Sequence, residues 1–242
     1  MVRGMSDSKP HGKIVVVITG DPVPAVQQER GDFGDIFAAA IGEHQPGFRS
    51  IDARTEALEV ADDEIVVISG SSANVHKREP WMLRSEASLR DIVARDIPTF
   101  GICFGHQLLA QALGGDVQSN PRGREISTVE ITRCGDDPLV DFLPKSFLAN
   151  ACHKDTVSEL PPGAEVLGHS PLDPHQVLRF APRCYGVQFH PEWDDFIMRA
   201  YLVGRRDAML AEGIDADERE SVARDTPDAM AMFSAFLEHV AG

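Results

Sequence analysis

Three uninterrupted apolar runs limit what this chain can fold into. They are Lys13–Thr19 (KIVVVIT), Glu64–Ile68 (EIVVI) and Ile97–Ile102 (IPTFGI). A strand that is apolar at consecutive positions is covered on both faces, the condition of a parallel sheet between two helix layers. Helical spacing follows each run. Gly31–Ile41 repeats Phe33, Ile36, Phe37 and Ala40, and Trp81–Arg95 is expected to turn Leu83, Ala87, Leu89, Ile92 and Val93 inward. Phe104–Leu113 is a helix stopped by Gly114-Gly115. Phe48–Ile51 supplies a further strand. This alternation predicts an α/β fold with an open, doubly wound, mostly parallel sheet and helices on both faces.

The second half changes character. Ile126–Thr132, Phe147–Ala151, Glu165–His169, Val177–Phe180 and Tyr185–Phe189 are short strands separated by Pro and Gly, read as a mixed or antiparallel extension of the same sheet. Phe196–Glu212 reads as one helix, and Thr226-Pro227 opens another, with Thr as N-cap and Pro at the first helical position. Residues 1–12 are expected to be a disordered tail. Residues 13–242 are expected to form a single domain, since a chain of 242 residues supports one large core.

A net charge of -15 repels phosphate backbones, so a nucleic-acid partner is not expected. The four cysteines, Cys103, Cys134, Cys152 and Cys184, are too few for a disulfide scaffold. The first residues lack the apolar core of a secretion signal, and no run approaches the ~20 apolar residues of a membrane span. A cytoplasmic protein is the expectation. No C-x-x-C pair occurs, and no metal site is expected.

One cysteine stands apart. Gly101-Ile-Cys103-Phe-Gly105 has the form G-x-nucleophile-x-G where a strand gives way to a helix. Such a turn is tight, so its flanking residues must be small, and it lifts the side chain clear of the sheet at the carboxyl ends of the strands. The helix N-terminus favours a thiolate there, and the N–H of Phe104 points where an oxyanion would form. His190, in Tyr185-Gly-Val-Gln-Phe-His190-Pro-Glu192, is the candidate base, and Glu192 is close enough in sequence to fix its tautomer.

GICFGHQLLAQALGG together with GVQFHPEW resembles the class I glutamine amidotransferase family, over roughly Lys13 to Trp193. Gly20-Asp-Pro, the Gly31–Phe37 segment and the helical tail look most like stand-alone, GMP synthase-like members and the related γ-glutamyl peptidases. The resemblance implies the family's flavodoxin-like sheet and its chemistry. Cys103 would attack the side-chain amide of glutamine, His190 would protonate the departing ammonia, and water would hydrolyse the γ-glutamyl thioester. Glu192 would orient His190, with no cofactor. The family's S-G-G-P oxyanion loop is Ser69-Gly70-Ser71-Ser72 here, so Gly70, Ser71 and Phe104 are the candidate donors. Gln107 matches a position that contacts glutamine. Where many members have S-H-G-D, this chain has Asn150-Ala-Cys152-His153-Lys154-Asp155, so Cys152, His153 and Lys154 would line the substrate pocket. Gly123-Arg-Glu125 resembles the family's G-x-E segment, and Asp194-Asp195 is expected to cap the helix that follows.

Two reactions fit. The first is glutamine hydrolysis, with ammonia passed to a separate synthetase partner or to solvent, because no phosphate loop of the G-x-x-x-x-G-K-[ST] type occurs in the chain. The second is cleavage of γ-glutamyl peptides or conjugates, whose extra carboxylate could pair with Lys154. A non-catalytic binding module on the same fold is a third reading, against which Cys103, His190 and Glu192 argue together.

Overall fold

In the computed structural model, described over residues 13–42 and 47–240, the apolar runs form the centre of the sheet. They are β1 (Lys13–Ile18), β3 (Glu64–Ile68) and β4 (Thr99–Ile102), with β2 (Phe48–Asp52) outside β1. All four run parallel in the order β2-β1-β3-β4. Successive side chains enter opposite cores, as a pleated strand requires. Ile14, Val16, Ile65 and Val67 pack into one core, and Val15, Val17, Val66 and Ile68 into the other. The chain steps from β1 outward to β2 and returns to β3 on the far side of β1. That reversal opens a crevice at the carboxyl ends of the strands.

Helices fill both faces. On one lie α1 (Pro24–Arg30) and α2 (Phe33–Ile41), whose Asp32 and Asp35 form a reciprocal capping box. On the other lie α3 (Pro80–Ala94) and α4 (Phe104–Ala112), packed through Met82, Leu89, Ile92, Phe104, Leu108 and Leu109.

Then follow β5 (Asp116–Ser119), β6 (Glu125–Arg133), β7 (Ser146–His153), β8 (Asp155–Glu159), β9 (Glu165–His169), β10 (Val177–Ala181) and β11 (Cys184–Val187). Among the described residues nine strands make one sheet, ordered β2-β1-β3-β4-β11-β10-β9-β6-β7, and β5 pairs with β8 separately. β11 lies parallel to β4 but antiparallel to β10, so it joins the parallel half to the antiparallel extension. The tail adds α5 (Asp195–Gly204), α6 (Arg206–Ala211), α7 (Ala216–Val222) and α8 (Pro227–Ala235). No helix among the described residues is long and apolar enough to cross a membrane. The expected tail, residues 1–12, lies outside the described residues.

The structure corrects the sequence reading in three places. The helix expected over Phe196–Glu212 breaks at Arg205, whose φ is -112° and ψ 6°, just after Gly204, a poor helix former. α3 does not bury Leu83, which is 44% exposed, or Ala87. Its inner face carries Ser85, which donates to the Trp81 carbonyl at 2.8 Å, and Glu86, paired with Arg78 at 2.7 Å. Thr226 makes no side-chain capping bond, and Pro227 alone marks the start of α8. Asp194 caps α5 as expected, accepting from the Ile197 N–H at 2.8 Å.

Candidate active site

Cys103 is the single residue between β4 and α4, at φ 51° and ψ -100°. The two flanking glycines are forced by the close packing of the α4 N-terminus on β3 and β4. A Cβ on Gly101 would lie 2.7 Å from the backbone of Gly105 and His106, and one on Gly105 would lie 2.6 Å from the Ile68 carbonyl oxygen. The Cys103 N–H donates to the Val187 carbonyl at 2.8 Å, and its own carbonyl accepts from Gln107 at 3.1 Å. The residue is held in a left-handed conformation from both sides.

Burial pushes the Cys103 thiol well above its ordinary range, Cys152, Glu192 and Asp155 push the same way, and only the Phe104 N–H pulls it down. Desolvation outweighs the helix N-terminus that the sequence reading relied on.

His190 lies three residues beyond β11. Its N–H donates to the Asn150 carbonyl at 2.8 Å, which extends the pairing of β7 to this point. Its Nδ1 is 2.7 Å from Glu192 Oε1, both side chains being buried. With Nδ1 held by a carboxylate, the proton sits on Nδ1 and Nε2 is left as acceptor. The ring stacks on Trp193 at 3.6 Å between centroids, and Trp193 stacks on Tyr201 at 4.0 Å. At the edge of the ring the Gly70 backbone comes close, since a Cβ there would stand 2.7 Å from His190 Cε1.

The Ser69–Ser72 turn is tied to the end of β1. Thr19 donates its N–H to Ser69 Oγ at 3.0 Å, and its hydroxyl reaches the carbonyls of Ser69 and Gly70 at 3.0 and 2.9 Å. Ser71 Oγ donates to the Thr19 carbonyl at 2.7 Å and accepts from the Ala73 N–H at 3.1 Å. Ser71, one of the two serines that depart from the S-G-G-P pattern, thus turns its hydroxyl into the loop.

Two cavities of about 240 Å³ each meet at Cys103, Cys152, Ser71, Ser72 and Arg205. The first is lined further by Gln107, Arg124, His153, Lys154 and Asp155. Gln107 Nε2 donates to the Asp155 carbonyl at 3.0 Å and to Gln188 Oε1 at 2.9 Å. His153 is bound inward, with Nε2 2.9 Å from Glu125 Oε2 and Nδ1 3.0 Å from the Asp155 carbonyl oxygen. Burial alone would lower its pKa, but the Glu125 bond and the charge of Asp173 turn the shift upward. Glu125 also accepts from Ser170 Oγ at 2.6 Å and from Gln176 Nε2, so it anchors the pocket floor. Lys154 is spoken for, because its Nζ lies 2.9 Å from Glu212 Oε1 while Arg124 Nε lies 2.8 Å from Glu212 Oε2. The second cavity holds Gly70, His190, Trp193, Tyr201, Phe33 and Asp21.

All ten residues singled out in the sequence fall around these cavities or, for Glu192 and Phe104, against residues that do. Sequence reading missed Arg205, for which a position inside a supposedly continuous helix gave no signal. It also missed the buried Ser170, Asp173 and Gln176 around Glu125, which lie on a loop far along the chain. Among the described residues no group of three or more His, Cys, Asp or Glu is arranged to hold a metal ion.

The GMP synthase of Thermosipho africanus is 34% identical over 142 residues, which is 58% of this chain and 26% of that protein. The chain spans between about a quarter and a third of the length of several such GMP synthases, that of Phenylobacterium zucineum being covered to 34%. Gamma-glutamyl peptidase 4 of Arabidopsis thaliana is 29% identical over 192 residues, covering 76% of this chain and 75% of that one. A glutamine amidotransferase of Thermotoga maritima shares the fold, with a TM-score of 0.77 at 22% identity over 96% of this chain and 98% of that chain. The glutamine amidotransferase class-I family model matches residues 44–196, well over half of the sequence, and the chain belongs to that family.

Proposed function

We propose that the protein hydrolyses the γ-amide bond of glutamine or of a γ-glutamyl compound through Cys103, His190 and Glu192. The observation that carries this reading is one cavity shared by a buried, backbone-strained Cys103 and a His190 whose Nδ1 is held by Glu192. His190 Nε2 takes the Cys103 proton as Sγ attacks the γ-carbonyl carbon. A raised thiol pKa favours transfer coupled to attack over a standing ion pair. Negative charge collects on the former carbonyl oxygen, near the backbone N–H groups of Phe104 and of the Gly70-Ser71 turn. One such donor is worth about 10²–10³ in rate. Collapse breaks the C–N bond, and the amine leaves with the proton from His190. Water, deprotonated by His190, then attacks the thioester, releasing glutamate and restoring the thiol. Glu192 keeps His190 in the working tautomer throughout.

The matched GMP synthases and the matched peptidase support hydrolysis of such a bond, and the first of these supports a second reading of where ammonia goes. A separate synthetase would accept it. The test is glutamate release from glutamine and from a γ-glutamyl dipeptide by the purified chain, with Cys103→Ala and His190→Asn alongside. Cys103→Ala should abolish turnover, and His190→Asn should cost at least about 10²-fold. Turnover retained by Cys103→Ala would remove the mechanism.

A further inference from the structure

The two cavities are not equivalent with respect to the reaction. His190 lines the second and not the first. The group that gives a proton to the departing nitrogen must lie within hydrogen-bond reach of it. Under the proposed mechanism, then, the glutamyl part occupies the first cavity, beside Gln107, and the leaving group extends into the second.

That second cavity is far larger than ammonia needs. Its volume is about 240 Å³, against the ~10–15 Å³ that admits one water-sized molecule. Its walls are aromatic, from Phe33, Trp193 and Tyr201. Its charge balance is also uneven. Asp21 is committed to Arg54 through contacts of 2.5 and 3.1 Å. Lys154 and Arg124 of the first cavity share the single carboxylate of Glu212. Arg205 lines both cavities, half-buried, and among the described residues its guanidinium makes no hydrogen bond or ion pair. A partly buried guanidinium without an anion is a site for a carboxylate, which it binds bidentately.

We propose that the second cavity is a leaving-group subsite, in which Arg205 receives the free carboxylate of an amino acid or short peptide joined through its nitrogen to the γ-glutamyl carbonyl. Recognition of that carboxylate falls to Arg205 rather than to Lys154. The inference rests on the proposed reaction for its orientation, and on the cavity and its unpaired cation for its chemistry.

The experiment separates the two. Cys103→Ala protein, unable to turn over, is titrated calorimetrically with γ-glutamylalanine and with γ-glutamylalaninamide, which differ only in the terminal carboxylate. The acid should bind at least about tenfold more tightly than the amide. Arg205→Gln in the same background should erase that ratio, and Arg205→Lys should restore part of it. Circular dichroism checks that each variant is folded. Equal affinity for acid and amide, no binding of either, or a ratio that survives Arg205→Gln would overturn the subsite. Glutamate release by protein with Cys103 intact, run in parallel on glutamine and the dipeptide, judges the reaction itself. Failure of that arm with the affinity ratio present would sink the reaction and leave the anion subsite standing.

Discussion

The backbone of Cys103 stores strain, and its size is open to measurement. A non-glycine residue at φ 51°, ψ -100° sits in a sparsely populated region that costs about 1–3 kcal/mol. The residue is also only 6% exposed, so its Cβ is packed. Cys103→Ala keeps the Cβ and the strain, whereas Cys103→Gly removes both. At an ordinary buried helical site, changing Ala to Gly costs about 0.5–1 kcal/mol in backbone entropy and about 0.8 kcal/mol in lost burial. Ala110, fully buried in the same helix, is such a site. Ala110→Gly should therefore destabilise by about 1.5 kcal/mol or more. The same Ala-to-Gly step at position 103 should be close to neutral, because about 2 kcal/mol of strain is released. Urea unfolding of Cys103→Ala, Cys103→Gly and the Ala110→Gly change in the Cys103→Ala background measures all three. In a chain this long the difference between sites corresponds to roughly 4–8 °C in Tm. If glycine costs as much at 103 as at 110, the turn is not strained.

Gly70→Ala should place a methyl against His190 Cε1, at 2.7 Å without movement, and the displaced ring should lower kcat by about 10²-fold; unchanged kcat would mean that Gly70 does not fix the ring. His106 is fully buried, and burial lowers its pKa to about 3. The unfolded chain therefore binds the extra proton first as pH falls below about 6.5, and stability falls between there and about 3. At pH 4.5 the loss should be about 2–3 kcal/mol, which His106→Gln should remove; an unaltered pH dependence of the urea midpoint would refute this. Glu212 is held down to about 2 by the Arg124 hydrogen bond and by Lys154. Its contribution is present above the ordinary carboxylate range and is lost as pH falls toward about 2. Glu212→Gln should cost about 1 kcal/mol at pH 7 after solvent screening, and less at pH 4, as thermal melts at the two pH values would show.

The parallel half of the fold was legible because its strands are covered on both faces, leaving IVVVI and EIVVI without polar interruption. The elbow was legible for a steric reason: only glycine fits at 101 and 105, and that requirement leaves a mark in the sequence. What escaped was set by polar pairing. α3 turned its Glu86 side inward because Arg78 meets it there, an interaction that counting apolar residues cannot register. β5 and β8 pair as short strands with mixed burial, and neither has a periodic signature. That Cys103, His190 and Glu192 come together was readable from their motifs. The state of the thiol was not, since it depends on how much water the fold excludes. Lys154 looked like a free cation because its partner, Glu212, lies 58 residues away.

The position of β11 bears on how the molecule assembles. The antiparallel strands close mostly through local hairpins, β6 with β7, β9 with β10 and β10 with β11. β1 to β4 assemble through their own crossovers. The two groups join where β11 meets β4, across the 81 residues between Ile102 and Cys184. Closing a loop of that length costs about 4 kcal/mol in chain entropy, repaid only when β4 and β11 zip together in register. Cys103 stands at the end of one of these strands and His190 just beyond the other. The proposed nucleophile and its proposed base therefore meet at the seam between two folding units. A nascent chain therefore acquires its candidate active site in the same event that completes its sheet.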